Sequence, residues 1–117
     1  RRKLIGMRDP SGIRPLVLGD LDGSTCDAAT MAVVEEGFRS AGYSTARNDP
    51  FKGVEIIAKN GRPAERRHSL QIEVKRSCYA DVERHVPNAG FERVQRALDA
   101  MMTALAAHVR RECGITR

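Results

Sequence analysis

Tryptophan is absent from this chain, and aromatic residues make up only 4% of it. So sparse a set cannot build the stacking platform on which single-stranded bases are held, and nucleic acid is not an expected partner. No apolar run approaches the ~20 residues a membrane-spanning helix needs, so no membrane partner is expected either. There is no low-complexity tract and no signal-peptide pattern. Cysteines are few: Cys26, Cys78 and Cys113, an odd number with no CxxC spacing. That argues against a disulfide framework or a zinc knuckle and points to a reducing, cytoplasmic setting. His68, His85 and His108 are too far apart for a local metal motif of the HExxH kind.

What remains is a short, ordinary globular composition. The 117 residues suffice for a single domain with one core. The net charge is +5, with basic and acidic residues interspersed, as where Arg66 and Arg67 follow Glu65. A solvated, slightly basic surface accounts for it. The chain opens on Arg1 rather than Met, and the expectation is a piece of something longer, a single incomplete domain over residues 1–117.

Periodicity predicts the elements. Leu16 to Leu18 reads as a strand. Ser24, with Asp27 three residues on, resembles a capping box, and Met31, Val34, Phe38 and Ala41 then recur at helical spacing. Gly42 suits the position just after that helix, and Gly37 inside it weakens it by about 1 kcal/mol relative to Ala. Tyr43 to Ala46 reads as a short strand, and the apolar, β-branched Val54 to Ala58 as another. Asn60 to Pro63 is a turn. Ser69 to Arg76 alternates: Leu70, Ile72 and Val74 on one face, Ser69, Gln71, Glu73 and Lys75 on the other. A long helix runs from about Phe91 to Glu112, with Phe91, Val94, Leu98, Met101, Leu105 and Val109 as its apolar stripe. Gly114 ends it. The order of strands and helices defines an α/β fold.

Glu73 draws attention as a carboxylate on an apolar strand. It can serve as a general base or a metal-site carboxylate at a strand end. From spacing alone the plainer reading weighs more: its whole face is polar, as on an edge strand with one side in water. Arg47 and Asn48 follow a strand directly, where α/β sheets bind ligands, and an arginine fork matches a carboxylate in two hydrogen bonds. Alone, a surface Arg and a turn Asn are the better explanation. His68 begins the Glu73 strand and could line a site. His85 reads as a loop residue, and His108 as one favoured by the helix C-terminus. Asp20 to Ser24, DLDGS, looks like the first motif of haloacid-dehalogenase phosphatases, with Asp20 as nucleophile and Asp22 as acid/base. Ser stands there in place of the usual Thr.

Taken together, residues from about Val17 to Val109 resemble the N-formylglutamate amidohydrolase family. LGDLDGSTCD, a helix, AGYSTARNDPFKG, NGRP and HSLQIEVKRSCYAD carry the resemblance in that order, with a long closing helix after them. It implies a partial three-layer α/β/α sheet of zinc-carboxypeptidase-like type. It implies hydrolysis of N-formyl-L-glutamate to formate and glutamate, in histidine degradation. Glu73 would take a proton from water, and Arg47 and Asn48 would hold a substrate carboxylate. His68 and Gln71 would line the pocket. A divalent metal, zinc, is implied as cofactor. The family's metal ligands fall mostly before the matching region, where this chain has Gly6 to Asp9 and no histidine before His68. The family's Gly-Gly is Gly53-Val54 here. Residues 1–23 are also similar to a stretch of amidophosphoribosyltransferase, through RDPSGIRPLVLG, which suggests a different origin for that segment. That group uses an N-terminal Cys, and no Cys precedes Cys26. Other readings stay open: a non-catalytic remnant that binds a glutamate-like carboxylate, or the phosphatase. A sheet cut from a larger domain leaves an unpaired edge, so self-association is expected.

Overall fold

The computed structural model describes residues 4–8, 16–19, 25–48 and 55–115. Asp20, Asp22 and Ser24 lie outside them, as do Asp49, Pro50, Gly53 and Val54. Four strands form a mixed sheet: β1 (Leu4–Arg8), β2 (Leu16–Gly19), β3 (Thr45–Arg47) and β4 (Ser69–Val74), in the order β1-β4-β2-β3. β4 runs parallel to β1 and antiparallel to β2, and β3 runs parallel to β2. Two long helices, α1 (Ala28–Ser40) and α3 (Phe91–Glu112), pack on each other on one side of this sheet. The architecture is mixed α/β.

The core forms where two periodicities meet. Met31, Val34 and Phe38 from α1 and Val94, Ala97, Met101 and Leu105 from α3 bury against Leu18, Leu70, Ile72 and Val74 of the sheet. The period of 3.6 in the helices and of 2 in β4 puts every one of these side chains on the inner face. Gly37 is part of that contact. A Cβ there would stand 3.0 Å from Cβ and 3.1 Å from Cα of Met101, so its helix-propensity cost is offset by close approach of the two helices.

Several expectations need correction. Of the strand expected over Val54 to Ala58, the described residues form none: Glu55–Asn60 is a short helix, α2. Its Ile57 is fully buried yet outside the α1–α3 cluster, and α2 packs on β4 and β1. Burial of one β-branched residue against the sheet overrides the local strand preference. The cap of α1 is Asp27, whose Oδ1 accepts from Thr30 N at 2.7 Å. The stripe of α3 holds at Val94, Met101 and Leu105, which are buried, and at Leu98, which packs on the core. Phe91 is exposed instead, and Ala97 and His108 join the buried side. His108 meets Thr30 of α1 at 3.2 Å through Nε2 and Oγ1, a buried polar bridge between the helices. His85 takes a left-handed turn conformation, φ 54°, in the loop of a small hairpin whose strands, β5 (Ala80–Asp81) and β6 (Val86–Pro87), have two residues each. Arg93 ties α3 to the end of α1, stacking 4.7 Å over Tyr43 and donating to Ala41 O.

Candidate active site

β4 lies between β1 and β2 and is buried along its whole length, Ser69 to Val74. That overturns the picture of an edge strand with one face in water. Glu73 is 2% exposed and Gln71 4%. A residue spacing of two places both side chains on the face of β4 opposite the helix core. Gln71 donates from Nε2 to Oε1 of Glu73. Taking a carboxylate out of water is costly unless hydrogen bonds or function compensate, and here the amide next to it supplies one such bond.

The register gives this face a distinctive surround. Glu73 lies between Arg8 of β1 and Val17 of β2, and Gln71 lies between Gly6 and Gly19. Gln71 is therefore flanked on both neighbouring strands by residues with no side chain.

Arg47 is placed differently. Its row runs through Leu18 and Ile72, one residue off the row of Glu73, two strands away, roughly 10 Å at the usual strand spacing. Leu18 and Ile72 belong to the helix core, so Arg47 faces α1, and there it pairs with Glu35. Nε donates to Glu35 Oε2 at 3.0 Å, and Nη2 reaches the same oxygen. Thr45 Oγ1 donates to the other oxygen at 3.1 Å, and Arg39 approaches it at 3.3 Å. Burial pushes the Glu35 carboxyl up. The hydrogen bonds from Arg47 and Thr45 and the two arginine charges outweigh that and leave it below its ordinary value. The structure thus does not bring Arg47 to the face of Glu73. Asn48, half-buried, has a positive φ of 52° and donates its backbone N–H to Leu18 O, 2.9 Å.

His68 sits one residue before β4, and its contacts are with the start of α1. Its Nδ1 accepts from Asp27 N at 3.2 Å, and Nε2 lies 3.3 Å from Asp27 Oδ2. Burial raises the Asp27 carboxyl. The hydrogen bonds from Thr30 lower it, as does positive charge on the His68 and His108 rings when they are protonated, and the net direction is down. Cys26, buried, completes a cluster in which one donor atom from each of Cys26, Asp27 and His68 lies within 4.8 Å of the others. These are metal-ligand types, but the hydrogen bonds do not suit an ion. Nδ1 accepts a backbone N–H, which puts the ring proton on Nε2, the nitrogen facing Asp27. A cavity of about 420 Å³ near Thr25, Ala58, Gly61 and Arg62 lies by the start of β4 and does not take in Glu73.

Fold and site define a mixed α/β domain with a buried glutamate–glutamine pair on an interior strand of its sheet. The profile of the family described as N-formylglutamate amidohydrolase matches residues 5–80, and the chain belongs to that family. It is similar to the crystal structure of N-formylglutamate amidohydrolase from Ralstonia eutropha JMP134, with 47% identity and a TM-score of 0.82. The similarity covers 86% of this chain and 36% of that one, so the chain spans about a third of that relative's length. No curated protein matches it.

Proposed function

We propose that this chain carries the general-base half of an amidohydrolase acting on N-formyl-L-glutamate, a small-molecule carboxylate, on a fold of zinc-carboxypeptidase-like type. The observation that carries the reading is the burial of Glu73 on the central strand with Gln71 hydrogen-bonded to it, in a chain of this family. Glu73 takes a proton from the attacking water as its oxygen bonds to the formyl carbon. It then delivers that proton to the departing nitrogen as the C–N bond breaks, leaving formate and glutamate. A divalent metal, zinc by family resemblance, would supply a Lewis acid for the carbonyl. The cluster of Cys26, Asp27 and His68 does not fit that ion, and the step given to the chain here runs through Glu73. Arg47, turned to Glu35, has no substrate contact in this reading.

The test is formate release from N-formylglutamate, with added zinc, for the wild type and Glu73→Gln. The isosteric substitution is expected to lower the rate by about 10²–10⁴ and leave the melt cooperative. Full activity in the variant would remove Glu73 from the mechanism. A wild type that binds glutamate but releases no formate would favour a binding remnant.

A further inference from the structure

We infer that Gln71 is a positioning residue of Glu73, helping to fix the orientation of the carboxylate and stabilising its ionised form. This rests on the reading of Glu73 as base and adds a role for its neighbour. Two independent features carry it. The first is the bond itself, from an amide 4% exposed to a carboxylate 2% exposed on one strand face. A hydrogen bond to an ionised acceptor is stronger than a neutral one, and more so away from water. The second is the register: Gly6 and Gly19 flank Gln71 on both sides. No neighbouring side chain occupies that row, so the long amide has room to lie along the strand toward Glu73.

The choice of an amide has chemical content. A lysine or arginine at the same place would hold the carboxylate but weaken its affinity for a proton. A second carboxyl would share that proton and couple the two titrations. Glutamine donates a hydrogen bond and neither gains nor loses a proton, so this partner is unchanged as Glu73 accepts a proton and releases it. The charged group in register with Glu73 is Arg8 on β1, which stays the same in every variant. A glutamate side chain has three rotatable bonds, and a fixed donor selects one arrangement of them, which general-base catalysis requires.

The experiment uses Gln71→Met and Gln71→Glu, both close to glutamine in shape. The carboxyl of Glu73 is followed by carbon NMR against pH, assigned by its loss in Glu73→Gln, and the pH profile of kcat/KM is measured alongside. In Gln71→Met the titration midpoint and the acidic limb are expected to move together to higher pH, by about one pH unit, with KM within about twofold. In Gln71→Glu the midpoint moves further. Should the Met variant fail to fold, the Glu variant carries the test. A Glu73 titration identical in wild type and variants would overturn the proposal. The NMR titration needs no turnover, so a shift in an inactive wild type would still establish the positioning while the amidohydrolase reading failed.

Discussion

Arg47, at the end of β3, turns toward α1 and gives both Nε and Nη2 to one carboxylate oxygen of Glu35. The pair fastens β3, the outermost strand on its side among the described residues, to the helix behind it. Arg47 is 43% exposed and Glu35 12%, so solvent screening limits what the pair contributes, to about 0.5–1 kcal/mol. A double-mutant cycle of Arg47→Ala and Glu35→Ala, read by urea denaturation, is expected to return a coupling of that size. In the same preparations the KM for N-formylglutamate should change by no more than about twofold in Arg47→Ala. A large rise in KM at constant kcat would instead put Arg47 on the substrate carboxylate.

Asp27 caps α1, and an Ala there should cost about 1 kcal/mol. Asn keeps the cap's acceptor and should recover much of it. The charge adds a pH dependence with a defined sign. The Asp27 and Glu35 carboxyls are both lowered from ordinary values of 3.8 and 4.5, so the unfolded chain binds protons first as pH falls. Their contribution is fully present above those ordinary values and is lost as pH drops through the lower, folded ones. Denaturation midpoints should therefore be flat just above pH 5 and fall below about 4.5, less steeply in Asp27→Asn. An unchanged slope in that variant would show that the Asp27 charge contributes nothing.

Local pattern accounts for what could be read from the residues. α3 was visible from Phe91 to Glu112 because a 22-residue helix repeats its apolar spacing many times. β4 was visible because Leu70, Ile72 and Val74 alternate with polar residues. What could not be read was partnership. Alternation at β4 says one face is polar, and a polar face normally meets water. Burial of β4 on both faces depends on its place between β1 and β2 and on the elements packed against it, α2 among them, and both are properties of distant segments. The same limit hid Arg47's partner Glu35, twelve residues away on a different element, and His68's contact with Asp27. α2 was missed for a related reason: six residues give less than two full turns, too few for a helical period to outweigh a β-branched run. One signal for Gln71 was present in the residues, its spacing of two from Glu73, which sets an amide and a carboxylate side by side on any strand.

Gly61 should tolerate no side chain. A Cβ there would lie 2.5 Å from Thr25 Cβ, 2.6 Å from Thr25 Cα and 2.7 Å from Thr25 O. That backbone is itself held, since Thr25 O accepts from Ser69 N at 2.8 Å where β4 begins. Relief of the clash must therefore move the start of the central strand. Gly61→Ala is expected to lower stability by about 1–3 kcal/mol, read as a shift of the denaturation midpoint. A neutral substitution would show that the loop after α2 can move away from Thr25.

Cys26, Asp27 and His68 invite assignment as a zinc site, and the hydrogen bonds predict otherwise. The Asp27 N–H directed at His68 Nδ1 sits just before the first turn of α1 and cannot swing away without loosening the cap. With Nδ1 accepting, Nε2 carries the proton near Asp27 Oδ2. An ion at Nε2 would expel that proton and leave Nδ1 needing one of its own, directly opposite the backbone N–H. Cobalt added to the chain is therefore expected to give no thiolate charge-transfer absorption, and Cys26→Ser should leave the zinc content unchanged. Loss of one zinc equivalent in Cys26→Ser, together with a cobalt–thiolate band in the wild type, would locate the metal at this cluster and require the helix start to rearrange around it.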